Sequence, residues 1–348
     1  MTLSRVLAAL LAVALVACSR SKAPEPSSDP VPAVASGLVS GPAAGPSSSA
    51  SAALTISAFS SRIARPAAAR LVAIGDLHGD LAAARRALKL AGAIDDKDAW
   101  VGGALVIVQT GDEIDRGDDD RKILDLFEHL KVDAKKAGGE VIALAGNHEL
   151  MNASLDFRYV TPGGFAAFAD IRPPVGLAAQ ISTLDPSAAG RASAFIPTGP
   201  YATMIAERPL FVKVGATVFV HGGILPKHLK YGLDRMNDET HAWLLGKQTD
   251  CPKIVSAEDG AVWTRMYSAA PGREECATLD ETLRGLDAKR MVVGHTVQRN
   301  GVTSACTDHV WRIDTGMSKV FEGKVEVLEI ESNLQGETVT VRHEGDAG

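Results

Sequence analysis

Aromatic residues are scarce, at 5% of a 348-residue chain, so any core must be filled by Ala, Val, Leu and Ile. Only four cysteines are present, too few for a disulfide scaffold. Basic residues are not in excess. The 36 Lys and Arg stand against 42 Asp and Glu, a net charge of −6, which argues against a nucleic-acid binder and its positive footprint. Long apolar runs are lacking too, since Val6–Val16 is too short to cross a bilayer comfortably. What is there excludes wholesale disorder, because 46% of residues are apolar and 22% charged. The length suits one large domain or two small ones with a buried core.

The N-terminus reads as an address. Arg5 supplies the positive start, Val6–Val16 the apolar stretch, and Leu15-Val16-Ala17-Cys18 follows. That tetrapeptide resembles the lipobox of bacterial lipoproteins, which makes residues 1–18 a leader and Cys18 a lipidated N-terminus after cleavage. An ordinary leader, with Cys18 incidental, is the alternative. A lipid on Cys18 would anchor the chain to a membrane without a spanning helix. Ser19 after it would favour the outer membrane, so the expected location is extracytoplasmic, on the periplasmic face. Residues 19–60 begin with a Ser, Ala, Pro and Gly stretch to about Ala53 that cannot bury enough apolar surface to fold, and read as a tether.

A different pattern starts near residue 66 and runs to about 345. Leu71–Ile74, Ala104–Gln109 and Val141–Ala145 are short apolar runs, and helical spacing follows at Leu81–Leu90 and at about Asp119–Lys136. Phe211–Val214 and Thr217–Val220 flank Gly215-Ala216 as a hairpin. Late strands are expected at Met291–Val293, Val310–Ile313, Val325–Ile330 and Thr338–Arg342, the last three antiparallel. The expected class is α/β, a two-sheet sandwich flanked by helices, with a mostly helical insert at 152–208.

Five turns carry chemistry. Gly75-Asp76-Leu77-His78-Gly79 ends the first strand and Gly111-Asp112-Glu113-Ile114-Asp115-Arg116-Gly117 the second. Gly146-Asn147-His148-Glu149, His221-Gly222-Gly223 and Gly294-His295-Thr296 follow the later ones. Any one alone reads equally as a tight turn whose Asp or Asn caps a helix. Together, each after an apolar strand, they point to a site. Asp and His two residues apart can reach one cation, and carboxylate oxygen with imidazole nitrogen suits Zn, Mn or Fe. Asp76, His78, Asp112, Asn147, His221 and His295 are more ligands than one ion needs, and enough for two that share a carboxylate.

In this order, GDLHG, GDEIDRG, GNHE, HGG and GH resemble the phosphoprotein phosphatase branch of the calcineurin-like metallophosphoesterases. The resemblance implies that Asp76 and His78 hold a first metal, Asp112 bridges, and Asn147, His221 and His295 hold a second. It implies Mn in vitro, with Fe or Zn possible, and attack on phosphorus by a metal-bridging hydroxide. Arg116 would grip the phosphate with its planar fork. His148 would protonate the leaving oxygen, and Asp115 would orient it and raise its pKa. A second phosphate-binding arginine is expected at Arg265, which otherwise reads as a surface cation beside Trp263.

Asn147–Asn152, Phe157-Arg158-Tyr159-Val160, Val262–Arg265 and Arg312–Gly316 resemble the Shewanella-like protein phosphatases in particular. A phosphoprotein or phosphopeptide substrate is therefore expected. No regulatory-subunit docking sequence is evident, so no such subunit is expected. The 152–208 insert departs from eukaryotic serine/threonine members, which leaves phosphotyrosine at least as favoured as phosphoserine or phosphothreonine. It should roof the cleft through Arg158 and Tyr159. A dinucleoside tetraphosphatase and a non-catalytic lipoprotein module are the rival readings. His129, His228, His241, His309 and His343 read as surface or structural residues. Asp118–Asp120 reads as acidic charge at a helix start. Cys251 and Cys276, either side of Trp263–Arg265, are candidates for a disulfide that would leave Cys306 unpaired.

Overall fold

The computed structural model describes Ser60 and residues 63–346. The leader with Cys18, and the tether as far as residue 59, lie outside the described residues. Eleven strands occur among the described residues: β1 (Ala64–Arg65), β2 (Arg70–Ile74), β3 (Val106–Gln109), β4 (Glu140–Ala143), β5 (Phe211–Val214), β6 (Thr217–Val220), β7 (Arg290–Val293), β8 (Thr303–Ala305), β9 (Val310–Arg312), β10 (Glu326–Asn333) and β11 (Gly336–His343). They form two sheets, one in the order β1-β5-β6-β7-β9-β8 and one in the order β11-β10-β2-β3-β4. No described helix is long and apolar enough to cross a membrane.

Burial on both faces explains why the central strands read as unbroken apolar runs. Leu71, Ala73 and Val108 from one sheet meet Val212, Phe219 and Val292 from the other, and Ile313 and Leu328 complete that layer. On the outer face of the five-stranded sheet, Val72, Ile74 and Ile107 pack against the helices Leu81–Leu90 and Asp120–Lys136. Asp80 caps the first of these by accepting the N–H of Ala83 at 3.0 Å. Leu88 on its inner face is fully buried, worth about 1.5–3 kcal/mol. The outer face of the other sheet is covered by short helices, including those of the insert.

Strands β2, β3 and β4 run parallel, as do β6, β7 and β9. Their C-terminal ends therefore gather along one rim, and the five turns start there. Here one expectation is corrected. Val310–Arg312 does not run antiparallel with the last two strands; it lies in the other sheet, parallel to β7. The cause is β8, which makes a hairpin with β9 through Cys306, Thr307 and Asp308, all at positive φ. Only β10 and β11 form the expected antiparallel pair, and β10 also runs antiparallel to β2.

The cysteine pairing is corrected as well. Cys276 is disulfide-bonded to Cys306 across 5.2 Å between Cα atoms, and Cys251 is a free thiol. The helix Arg273–Gly285 runs beside the β8–β9 turn and presents Cys276 to it. Cys251 instead shares a cavity wall with Leu155 and Trp243, where burial pushes its thiol up to about 12.

Candidate metal centre and active site

All five turns meet at the rim, and the backbone is bent hard to bring them there. His78 (φ 46°), Asp112 (58°), Asp115 (71°), Arg116 (67°) and His295 (65°) all sit in the left-handed region. Each such residue costs about 1–3 kcal/mol and persists only where surrounding structure enforces it. Two glycines let the turns close up. A Cβ at Gly146 would lie 2.2 Å from Asp112 Oδ1, and one at Gly294 would lie 2.4 Å from Asp76 Oδ1.

The structure brings the six expected ligands together, all buried. Asp112 Oδ2 stands at the centre, 3.3 Å from His221 Nε2, 3.8 Å from His148 Nε2 and 4.0 Å from His78 Nε2. His78 Nε2 is 3.9 Å from Asp76 Oδ2. His221 Nε2 lies 2.9 Å from Asn147 Oδ1 and 3.2 Å from His295 Nδ1.

Backbone carbonyls fix which ring nitrogens face inward. The far nitrogens of His221, His295 and His78 lie 2.9, 3.0 and 3.3 Å from the carbonyls of Thr110, Trp263 and Ile114. A carbonyl only accepts, so each of these nitrogens carries the hydrogen and a neutral ring turns its lone pair toward Asp112. The Asn147 amide is turned the same way, with Nδ2 on Met151 Sδ and Oδ1 inward.

Electrostatics describe the same cluster. Burial, then His148, pushes His78 down to about 3, and burial with His221 pushes His295 far down. Burial opposes charge on His221 and His148 too, but Asp112 outweighs it and raises both. Burial also works to raise Asp112, yet His221 and His148 hold it well below the carboxylate range. Asp76 is pushed well above that range by burial and by Asp314 and Asp112. Asp314 leaves the end of β9 with Oδ2 buried and unpartnered, and burial lifts it to about 6. Inward lone pairs crowded by carboxylates are a donor set for cations. They form two overlapping groups, His78–Asp112–His148 and Asp112–His221–His295, each within 4.8 Å. Oxygen and imidazole donors without thiolate suit Mn, Fe or Zn.

Beside the donors lies a dyad. His148 Nδ1 is 2.7 Å from Asp115 Oδ2, the backbone N–H of His148 donates to Asp112 Oδ1 at 2.9 Å, and Nε2 faces the centre. Arg116 lies close enough to oppose positive charge on both His78 and His148, although His148 is raised on balance. Its guanidinium lies over two rings, 4.4 Å from the Tyr159 centroid and 5.1 Å from that of Phe321. Arg265 extends beside His295, its Nη1 donating to the His295 carbonyl at 2.7 Å and to Thr296 Oγ1 at 2.8 Å.

The insert reaches the site differently from the sequence-based expectation. Tyr159 accepts the Arg116 N–H through its carbonyl at 2.9 Å and places its ring 5.0 Å from that of His148. Arg158 does not join it. It pairs with Asp156 at 2.7 Å, two-thirds exposed. The residue missed is Arg191, on the insert helix Ala189–Phe195 and fully buried. It donates from Nη2 to Asp115 Oδ1 at 2.8 Å, from Nη1 to Asp120 Oδ2 at 2.6 Å and from Nε to Asn152 Oδ1 at 2.7 Å. Asp120 stands at the helix start as expected, but it is also buried and accepts the Asp115 N–H at 3.0 Å. An arginine in an alanine-rich stretch gives no local signal of this.

Residues 69–299 match the family model described as calcineurin-like phosphoesterase. Shewanella-like protein phosphatase 2 of Arabidopsis thaliana is 39% identical over 292 residues, covering 75% of either chain. Shewanella-like protein phosphatase 1 of Plasmodium berghei is 31% identical over 261 residues, covering 72% of this chain and 67% of its own. A solved cold-active protein tyrosine phosphatase superposes with a TM-score of 0.62 at 25% identity, covering 78% of this chain and 76% of that one. The chain belongs to the calcineurin-like metallophosphoesterases and, among them, to the Shewanella-like protein phosphatases.

Proposed function

We propose that the protein removes phosphate from phosphotyrosine in proteins, using two metal ions, at the extracytoplasmic face of a bacterial membrane to which Cys18 tethers it. Asp76, His78 and Asp112 would hold one ion, and Asp112, Asn147, His221 and His295 the other. Manganese is the expected choice in vitro. A bound pair of such ions supplies Lewis acidity and lowers the pKa of a water that becomes the nucleophile.

The chain's own residues do the rest. Arg116 matches two phosphate oxygens with its fork, and Arg265 flanks the donors beside His295. Protonated His148, raised by Asp112 and Asp115 against burial, gives its Nε2 proton to the leaving oxygen. The observation that carries the choice of substrate is the Arg116 guanidinium lying against both Tyr159 and Phe321. A phosphate on that guanidinium brings its ester group against two aromatic walls, which suits a phenyl ring better than a short aliphatic side chain.

The Cys276–Cys306 disulfide supports an oxidising compartment. Metal-loaded protein assayed on matched phosphotyrosine, phosphoserine and phosphothreonine peptides should prefer phosphotyrosine at least tenfold in kcat/KM. Equal rates would sink the preference, and no turnover of any peptide would sink the reading. Fatty-acid labelling lost in Cys18→Ser would support the anchor.

A further inference from the structure

Arg191 is the largest fully buried side chain among the described residues, and the metal and phosphate chemistry does not account for it. Its three nitrogens are spent on Asp115, Asp120, Asn152 and the Gly164 carbonyl (2.9 Å). Phe168 and Phe195 cover its guanidinium, with centroids 5.2 and 5.0 Å away. Asp115 is thereby held from both sides. Its Oδ2 faces His148, its Oδ1 faces Arg191, and Asn152 Nδ2 donates to both oxygens at 3.0 and 3.1 Å. Asn152 also donates to the His148 carbonyl at 2.9 Å and accepts from Arg191 Nε. The carboxylate cannot rotate about its Cβ–Cγ bond without breaking one of these bonds.

We infer that Arg191 is a positioning residue for the proton donor: from within the insert it locks Asp115 so that His148 aims Nε2 at the leaving-group oxygen. The inference rests on the phosphatase reading above. In the step it serves, the oxygen of a water forms a new bond to phosphorus and the bond from phosphorus to the leaving oxygen breaks. The bonding pair stays on the leaving oxygen, which takes the Nε2 proton of His148. A proton from the attacking water, relayed through solvent, restores the imidazolium. A planar fork spanning two carboxylates is needed for the lock, and an ammonium supplies the charge without the geometry. The insert thus has a part in the chemistry beyond the roof expected of it. It completes the acid.

The proposal separates from a merely structural role by leaving-group chemistry. Phenol is a poor leaving group that needs the proton; 2,4-dinitrophenol leaves without it. In metal-loaded Arg191→Lys, kcat on phenyl phosphate should fall about 30-fold, part of the roughly 10²–10⁴-fold that general acid catalysis supplies, while kcat on 2,4-dinitrophenyl phosphate changes less than about threefold. Metal content by elemental analysis should not change. Asp120→Asn, close to isosteric, loosens the same arginine from its other side and should show the same selectivity at smaller amplitude, which keeps the test available if Arg191→Lys does not fold. Equal losses on both esters, or no loss on either, would overturn the proposal. Wild-type protein that hydrolyses neither ester would overturn the phosphatase reading instead.

Discussion

Oε2 of Glu149 accepts the backbone N–H of Asp112 at 2.9 Å, so the third of the five turns holds the second. The same oxygen accepts the Gly146 N–H at 2.8 Å, and Oε1 accepts the Glu113 N–H at 2.9 Å. One buried carboxylate therefore satisfies three backbone donors in two turns, the first of which is left-handed at Gly111 and Asp112. Glu149→Gln turns an NH₂ toward at least one donor. Urea unfolding of the variant should show about 2–4 kcal/mol less stability. Manganese titration should show roughly 10–100-fold weaker binding, the usual cost of losing a group that supports a ligand. A variant matching wild type in both would mean that the loops hold themselves.

Asp112 and His148 should separate metal binding from proton transfer. Asp112→Asn removes the carboxylate oxygen around which three histidine nitrogens lie within 4.0 Å, so it should lose bound metal and nearly all turnover while keeping its circular dichroism. His148→Ala should keep its metal and lose about 10²–10⁴ in kcat on phenyl phosphate. Full metal occupancy in the first variant, or unimpaired phenyl phosphate turnover in the second, would reverse these assignments.

The candidate ligands were legible because each lies within a few residues of a strand end. A strand fixes the direction in which its following turn leaves, so Asp76, Asp112, Asn147, His221 and His295 could be read one motif at a time. Parallel β2–β4 and β6–β7 then bring the five motifs to one rim. What escaped depends on contacts distant in sequence. Arg191 meets Asp115 across 76 positions, and nothing in Ala189–Phe195 marks one arginine as buried. Strand β8 has three residues with no fully buried member, too little pattern to read, yet it moves β9 into the other sheet. The cysteine pairing failed for the same reason, because flanking a motif says nothing about which helix face meets which turn.

Tyr159 should affect binding more than chemistry. Its ring lies against the Arg116 guanidinium at 4.4 Å, an arrangement worth about 0.5–2 kcal/mol. Removing it in Tyr159→Ala frees Arg116 to leave the pose in which it is proposed to grip phosphate. Steady-state kinetics on p-nitrophenyl phosphate should show KM raised roughly 2–30-fold with kcat within a factor of three. A fall confined to kcat would place Tyr159 in the proton transfer instead.

His228 gives a pH dependence away from the metal site. It is fully buried, its Nδ1 accepting the Leu225 N–H at 3.0 Å and its Nε2 lying 3.1 Å from the Asp259 carbonyl. Burial, then Lys227, pushes its pKa down to about 4. Its folded pKa lies below the ordinary 6.5, so the fold prefers the neutral ring. The stability it contributes is full above about 6.5 and is lost as pH falls toward 4, by on the order of 3 kcal/mol. Urea unfolding between pH 7.5 and 4.5 should show wild type losing its advantage over His228→Asn across that window. Parallel curves for the two proteins would assign the loss to other groups.

The disulfide closes a loop between residues 276 and 306, a separation of 30 positions. Within that loop lie β7, His295 and Arg265's partner Thr296, so the bridge restrains the unfolded chain around part of the site. By chain entropy a loop of this length contributes about 3–4 kcal/mol. Dithiothreitol should therefore lower the melting temperature of wild type, and Cys276→Ser should start at that lower value and not respond further. Cys251→Ser should melt as wild type does, since the free thiol closes nothing. Peptide mapping without reductant should recover Cys276 linked to Cys306. Recovery of Cys251 linked to Cys276 would restore the pairing expected from sequence and contradict the packing of the Arg273–Gly285 helix against the β8–β9 turn.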